Sequence, residues 1–556
     1  MGRMTGRVAA VLLALTFLAP VLSLGWEALR GTGELWPHLV AYVLPAAVRT
    51  TGLLLAGVGL LVIVIGTGAA WLVTARDFPG RRFLEAALLL PLAMPTYIIA
   101  YAWLDLLHPI GPLQTMLRTI FGIAGNTALL PDPRSLPGCI ILLGLVLYPY
   151  VYLPVRALFL MQAGALVDAG RVLGAGPLRV FTRIALPLAR PAIALGVGLA
   201  LMETLNDVGA AEFLGVRTLT VQVYSTWVNQ SDLSGAAQLS LVLLAGVLLL
   251  VGFERLARGA RTYAGPARRA APMSLRRLRG WRAILATTAL SLPPLLGFVM
   301  PAGYILHAAT DVVRRTGWPA TLTTEASATF TFAAAATLIC GVTAVLVATA
   351  PAALGRLGRL LVGAVRIGYA FPGTVLVIGL LAPLALLDDG LARALRPLFG
   401  VPPAIIGIGT ASALVLVYCI RFLTVAVGTT EAGFGRIPAS IPSAARTLGL
   451  SRLRTLMRVE IPLAWPALAS GCLLVFVDCA KELPATLLLR PLNVETLATH
   501  LYGEAARGTY ENGAVAALLI VAVGLLPVVL LLRASPGRTT AVAPAEASYK
   551  AVRIAP

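Results

Sequence analysis

The sequence predicts an all-α polytopic membrane protein, built as two parallel repeats of about six transmembrane helices each. Three observations predict it. Of the 556 residues, 58% are hydrophobic and only 12% charged, against roughly 25% charged in ordinary soluble proteins. The apolar residues gather in twelve runs, most near the ~20 residues a helix needs to cross a bilayer. A polar segment marked by Gly and Pro occurs twice between such runs. Gly174, Arg183, Pro187 and Pro191 are matched by Gly449, Arg458, Pro462 and Pro466, each 275 residues later. A repeat of that length with its register kept implies a duplicated body with two equivalent polar hairpins.

The formal net charge is +20. Its arginines sit in short loops between apolar runs, the pattern of cytoplasmic loops. The counter-charges expected are anionic lipid headgroups and a partner protein, with no nucleic acid. Cys139, Cys340, Cys419, Cys472 and Cys479 lie in or beside apolar runs with no metal-ligand spacing. His38, His108, His307 and His500 are scattered. They offer no metal cluster and no convergent site for a membrane enzyme.

The first run, about Val8 to Trp26, follows Arg3 and Arg7. It has the look of a signal peptide but is long for one, and reads as a retained span with a cytoplasmic N-terminus. Run two covers about Thr50 to Thr74, and Arg76, Arg81 and Arg82 place the next loop inside. Run three, about Phe83 to Leu106, contains Pro91 and Pro95, expected to kink a helix within a bundle. Run four covers about Gly138 to Leu160. The first hairpin follows, then run five, about Pro191 to Phe213, and run six, about Ala236 to Val251.

Residues 259–282 form a basic cytoplasmic linker with Arg261, Arg268, Arg269, Arg276, Arg277, Arg279 and Arg282. It divides a first transmembrane domain, 1–258, from a second, 283–535. The second half repeats the plan, with runs near Ala283–Leu306, Ala328–Ala350, Leu360–Leu387, Pro402–Val427, Pro466–Leu489 and Gly513–Leu532. Gly66 and Gly341 also fall 275 apart. Each half begins and ends inside, so the halves are parallel and related by a pseudo-twofold axis along the membrane normal. The tail, 536–556, is Ala/Pro/Thr-rich and expected to be disordered and cytoplasmic.

In the first hairpin, Asp168 to Gly174 has helical spacing and Gly174-Ala175-Gly176-Pro177 stops the helix. Phe181, Ile184 and Leu186 give a second amphipathic piece, and Pro187 and Pro191 are expected to turn the chain back to the membrane. A twofold body with two such protrusions suits a twofold partner. Both hairpins resemble the coupling-helix signature of importer-type ABC transporter permeases, roughly Glu-Ala-Ala, three residues, Gly, and later Ile-x-Leu-Pro. The first copy supplies Asp168-Ala169-Gly170, Gly174 and Ile184-Ala185-Leu186-Pro187. The second supplies Ser443-Ala444-Ala445, Gly449 and Val459-Glu460-Ile461-Pro462. It departs at the acidic position, which is Asp168 in one copy and Ser443 in the other.

That resemblance implies a permease with both transmembrane domains fused in one chain. It implies two ATP-binding cassette subunits and a periplasmic substrate-binding protein as partners. The chain has no G-x-x-x-x-G-K-[ST] loop. It is expected to bind no cofactor, with ATP and magnesium held by the partner, and to be no enzyme. Its place would be the bacterial cytoplasmic (inner) membrane.

Ionisable residues inside membrane runs are costly and mark function or pairing. Run five holds Glu203, Asn206 and Asp207; the matched positions in run eleven are Asp478, Lys481 and Glu482. The i,i+4 spacing puts each acidic pair on one helical face. Two readings fit: a polar translocation path for a charged solute, or interhelical pairing. Neither reading needs a metal site. The surrounding phrases, LMETLNDVGAAEFLGVRTLTVQVYSTW and FVDCAKELPATLLLRPLNVETLA, resemble the fused ferric-iron permeases. The resemblance implies ferric iron as cargo. Thiamine, sulfate, polyamine or phosphonate permeases are the alternatives within transport, and a secondary transporter is a further one.

Overall fold

The computed structural model describes every residue except 1, 32–34, 124, 126–127, 259–273, 369–370, 400–406 and 535–556. Most of the linker and the whole tail therefore lie outside the described residues. The rest is almost entirely helical, with eleven helices long and apolar enough to cross a membrane and a bent pair that makes a twelfth span. In chain order, spans 1 to 6 are Arg7–Arg30, Trp36–Ala75, the bent pair Arg81–Ala93 and Thr96–Leu106, Leu136–Met161, Pro177–Asn206 and Leu233–Leu256. Spans 7 to 12 are Trp281–Thr316, Ala320–Leu354, Gly373–Ala394, Ala411–Gly435, Arg452–Ala480 and Ala514–Arg533.

Span 3 is not a kinked helix. Its two pieces meet at 95°. Met94, which precedes Pro95, is extended (φ −112°, ψ 121°), because a residue before proline is pushed out of the helical region. The matching run of the second half is also broken. An amphipathic helix, Arg356–Gly368, ends before span 9 begins at Gly373.

Runs five and eleven begin earlier than expected and stop sooner. Spans 5 and 11 start inside the hairpins and end at Asn206 and Ala480. Pro187 and Pro191 therefore do not turn the chain: the helix passes through both. One π-turn precedes each leading proline, Phe181–Ala185 before Pro187 and Leu456–Glu460 before Pro462. The wider turn takes up the misfit between a proline ring and the preceding carbonyls.

The core is built across the halves. One cluster joins spans 2 to 4 with Leu290, Ile305, Leu501 and Ile520 of the second half. The other joins the second half's Cys340, Ile378 and Val417 with Phe17, Leu24 and Leu239 of the first. Span 1 packs on span 9 and the helix before it, while span 7 packs on the first half. Glycines make the crossings close. A Cβ at Gly379 would lie 2.5 Å from the Pro20 carbonyl oxygen, and one at Gly297 would lie 2.7 Å from that of Leu145. Small residues at such points let backbones approach, which in lipid is the main source of helix association.

The Gly66–Gly341 match is not a structural one. A Cβ at Gly66 would meet Val151 and the Tyr148 carbonyl of span 4, whereas one at Gly341 would meet only the Cys472 sulfur of span 11. On the face away from the hairpins the register is 278. The amide of Leu219 donates to Thr51 Oγ1, and the amide of Leu497 donates to Thr329 Oγ1, both at 2.9 Å.

Candidate functional site

The breaks in spans 3, 5 and 11 meet. Pro91 to Tyr97, Glu203 to Gly209 and Asp478 to Pro484 line one pocket with Val146, Tyr150, Arg421 and Phe422. Its empty volume is about 950 Å³, open mouth included. All six residues singled out inside the membrane runs, Glu203, Asn206, Asp207, Asp478, Lys481 and Glu482, are brought to this one cavity. They do not get there by helical spacing. Asp207 has left the helix (φ −77°, ψ 110°), and Glu482 follows the end of span 11, so neither acidic pair shares a helical face.

Each of these two acids instead starts the next helix. Asp207 Oδ1 accepts the Ala210 amide at 2.8 Å, opening the short helix Gly209–Phe213. Glu482 accepts the amides of Ala485 (2.9 Å) and Thr486 (3.0 Å) and the Thr486 hydroxyl (2.7 Å), opening Pro484–Leu489. Capping by a carboxylate satisfies amides that would otherwise lie buried and unpaired. Lys481 Nζ is 2.9 Å from Asp478 Oδ1. Arg421 Nη1 donates to Glu482 Oε1 at 2.6 Å, with both side chains buried. The halves touch here as well: the Tyr97 hydroxyl donates to the Lys481 carbonyl at 3.2 Å. Beyond the pocket, away from the hairpins, Phe213 stacks on Tyr502, whose hydroxyl donates to Glu212 at 2.8 Å. Among the described residues no group of three or more His, Cys, Asp or Glu is placed to hold a metal ion.

The hairpins are built alike to the hydrogen bond. In the first, helix Gly164–Val172 ends in a turn where the amides of Leu173, Gly174 and Ala175 donate to the carbonyls of Ala169, Arg171 and Gly170. In the second, after helix Ser440–Thr447, those of Leu448, Gly449 and Leu450 donate to Ala444, Arg446 and Ala445. Gly174 and Gly449 hold φ +80° and +88°, the left-handed conformation that closes a helix and favours glycine. Beside each turn stand bare leucines: Leu173 and Leu448 are 86% and 85% exposed, and Leu178 and Leu453 are exposed too. The departure at Gly170 also has a cause. A Cβ there would fall 2.4 Å from Ile184 Cδ1, and the second copy pairs Ala445 with the smaller Val459 at the matching position.

The acidic position does differ between copies. Asp168 binds Arg171 (2.8 Å) and the Ser274 hydroxyl (2.7 Å). The Ser274 hydrogen bond above all, and Arg171, hold its carboxyl below the ordinary carboxylate range. Ser274 belongs to the end of the linker, which runs beside the first half through a parallel pairing of Arg276–Arg277 with Arg76–Asp77. Ser443 turns inward to the Ala439 carbonyl.

The family described as the binding-protein-dependent transport system inner membrane component matches the chain twice, over residues 62–260 and 341–540. The chain belongs to that family. It is a multi-pass inner-membrane protein, the permease subunit of an ABC importer, and a transport component and not an enzyme. An Fe(3+)-transport system permease protein of Haemophilus influenzae is 25% identical over 86% of this chain and 88% of its own length. A molybdenum transport system permease protein of Escherichia coli is 33% identical over 35% of this chain and 86% of its own length. A Salmonella choleraesuis protein named for 2-aminoethylphosphonate transport is 29% identical over 44% and 89%. Both matched stretches of the permease contain one hairpin and one wall of the pocket.

Sequence reasoning missed Arg421. It is a lone charge inside an apolar run, a signal of function or pairing in itself, but its match 275 residues earlier is Val146, so the repeat did not flag it. Tyr97 was missed because a tyrosine in a span carries no such signal, and Tyr502 because it lies outside the spans, in the short helix Leu497–Ala506.

Proposed function

We propose that this permease admits ferric iron, delivered by a periplasmic binding protein, through the pocket between its halves. Two ATP-binding subunits drive it, each docking on one hairpin. The observation that carries the reading is the hairpin pair: two identical turns, each flanked by bare leucines, on a body of twofold plan. A twofold ATPase needs two equivalent points to push on, and an exposed leucine that fills a pocket is an anchor of the usual kind. The hairpin face, with its arginines, is cytoplasmic, as are both termini. Movement of the hairpins passes directly to the pocket, because spans 5 and 11 run without interruption from each hairpin turn to Asn206 and Ala480. ATP and magnesium stay in the partner.

Ferric iron is favoured over the other cargoes by the relative named for it, which aligns with both halves, whereas the molybdenum and phosphonate relatives align with less than half of the chain. The pocket's carboxylate oxygens suit a hard cation. The test has two arms. Leu173→Asp with Leu448→Asp should release the ATP-binding subunits on co-purification while the permease stays folded. Radiolabelled ferric iron should enter cells that carry the intact system and not cells that lack this chain. Retained ATPase binding would refute the docking surface. Uptake of molybdate or 2-aminoethylphosphonate in place of iron would refute the cargo.

A further inference from the structure

Where the linker rejoins the membrane body, residues 274–280 form a strap along the base of the first hairpin. The Ser274 hydroxyl donates to Asp168 at 2.7 Å, and Arg171 donates to the Ser274 carbonyl at 2.8 Å. Arg276–Arg277 then pairs with Arg76–Asp77, and the Leu278 amide donates to the Asp77 carbonyl at 2.8 Å. Gly280, at φ +60° and ψ −145°, turns the strap into span 7, a conformation open mainly to glycine. Among the described residues the second hairpin has no such strap: Ser443 bonds back to the Ala439 carbonyl.

Between the strap and span 7 lies a groove of about 1110 Å³, open mouth included. Its lining combines two exposed arginines, Arg277 and Arg279, with Phe78, Leu278 and Ile284. Asp77, the lining's carboxylate, stands opposite Arg277 in the strand pairing but makes its ion pair with Arg81 Nε, at 3.8 Å. Arg76, beside the strap, has its pKa lowered, by burial first and then by the charges of Arg171 and Arg276, a sign of arginines crowded with too little acid between them. Ile284 is 69% exposed and belongs to a stripe of bare apolar residues on span 7 with Trp281, Leu285, Leu292, Leu295 and Val299, whose helical spacing keeps them on one face. Arg282 lies over the Trp281 ring at 5.6 Å. Tryptophan and arginine together mark the level where a span leaves hydrocarbon for head groups.

We infer that this groove binds an anionic phospholipid, its head-group phosphate on Arg277 and Arg279 and its acyl chains along Ile284 and the bare face of span 7. The guanidinium fork matches a phosphate, and basic pockets beside spans suit anionic head groups. A lipid fits better than a soluble anion because the groove runs into the stripe of span 7 that meets hydrocarbon. It fits better than an acidic protein segment for the same reason. A head group held there pins the strap, and the strap holds Asp168 and Arg171. The lipid is thereby linked to the first hairpin through a contact the second lacks. The site needs only a leaflet at this face; that the leaflet is the cytoplasmic one rests on the reading proposed above.

The permease is released from nanodiscs of equal parts phosphatidylcholine and phosphatidylglycerol, and its retained lipid is weighed by native mass spectrometry. Phosphatidylglycerol should be retained in preference. Arg277→Gln with Arg279→Gln should cut that preference roughly thirtyfold, about fivefold for each arginine set against an anionic head group. Arg279→Gln alone, the variant to use should the pair fail to fold, should cut it about fivefold. Arg356→Gln with Arg359→Gln, exposed arginines of the helix before span 9, should leave it unchanged. A phosphatidylglycerol with a photoactivatable acyl chain should label Ile284 and Leu285. Amide exchange at Leu278 should slow severalfold when phosphatidylglycerol is added to phosphatidylcholine. Equal loss in both double variants would overturn the inference, since it would report a general surface field. Labelling confined to other spans would overturn it too. Displacement of the lipid by inorganic phosphate would make the groove a soluble-anion site, and displacement by the ATP-binding subunits would make it a protein interface; either refutes the lipid. Nanodiscs offer the same lipid to both faces, so a preference lost in the groove variants stands even if the hairpin face proves periplasmic.

Discussion

The ion pair between Arg421 and Glu482 should be the costliest single contact to break in the pocket. The perturbation is Arg421→Met, which keeps the length of the stem and removes the charge. The guanidinium lies 2.6 Å from the carboxylate, with side-chain exposures of 10% and 2%. Removing one partner of such a pair costs about 3–5 kcal/mol, because the other charge stays buried and uncompensated. Glu482 keeps three further donors, from Ala485 and Thr486, which places the expected loss at the low end, about 3 kcal/mol. Arg421→Met with Glu482→Gln removes both charges and should recover most of that loss. A milder probe is Gly373→Ala, whose Cβ would fall 2.5 Å from Arg421 Nη1 and 3.1 Å from Glu482 Oε1. It should displace the guanidinium without deleting it and cost less than Arg421→Met. Reversible unfolding in mixed micelles measures all three. Two results would refute the reasoning: Arg421→Met as stable as the parent within about 0.5 kcal/mol, or a double variant as unstable as the single.

Gly174→Ala and Gly449→Ala should each destabilise the local turn by about 1–2 kcal/mol, since the left-handed conformation is strained for any residue with a Cβ. An added Cβ would meet nothing within 4 Å at either position, so amide exchange should quicken at the hairpins and not in the spans, equally in both copies; an effect at one copy only would contradict their equivalence. His500 is hydrogen-bonded to Glu325 at 3.0 Å, and that bond chiefly raises its pKa above the ordinary histidine value. The stability this contributes is fully present below about pH 6.5, the unfolded value, and is lost as the pH rises through the higher folded value. Glu325→Gln should flatten that part of the pH–stability curve, and an unchanged slope would show that the pair contributes nothing.

The spans were legible because hydrocarbon demands length and apolarity, and composition records both. The breaks were not. Leu88 to Ala100 carries no charge, and proline in a membrane run signals a kink as readily as a 95° bend. The crossing of spans 1 and 7 left almost no trace, since a face that packs on protein and a face that meets lipid use the same residues. Gly297 and Gly379 mark the contacts, but nothing in the chain says which backbone each one admits. The hairpin turn was legible at Gly174 and Gly449 because one backbone conformation demands one residue type. The π-turns beneath them have no such signature.

The six polar residues of the pocket were found for a reason that fails and a reason that holds. Helical spacing did not unite them; the cost of an ionisable group in a span did. What the repeat conceals is the more informative part. Positions that match across 275 residues, such as Gly174 with Gly449 and Pro187 with Pro462, build the two hairpins and the helices that leave them. A matched pair of unlike residues, Asn206 and Lys481, lies in the pocket. The duplication keeps its register in the hairpins and loses its match of residue types in the pocket. The two halves therefore bring different charges to the pocket, and Arg421, found only in three dimensions, is part of that difference.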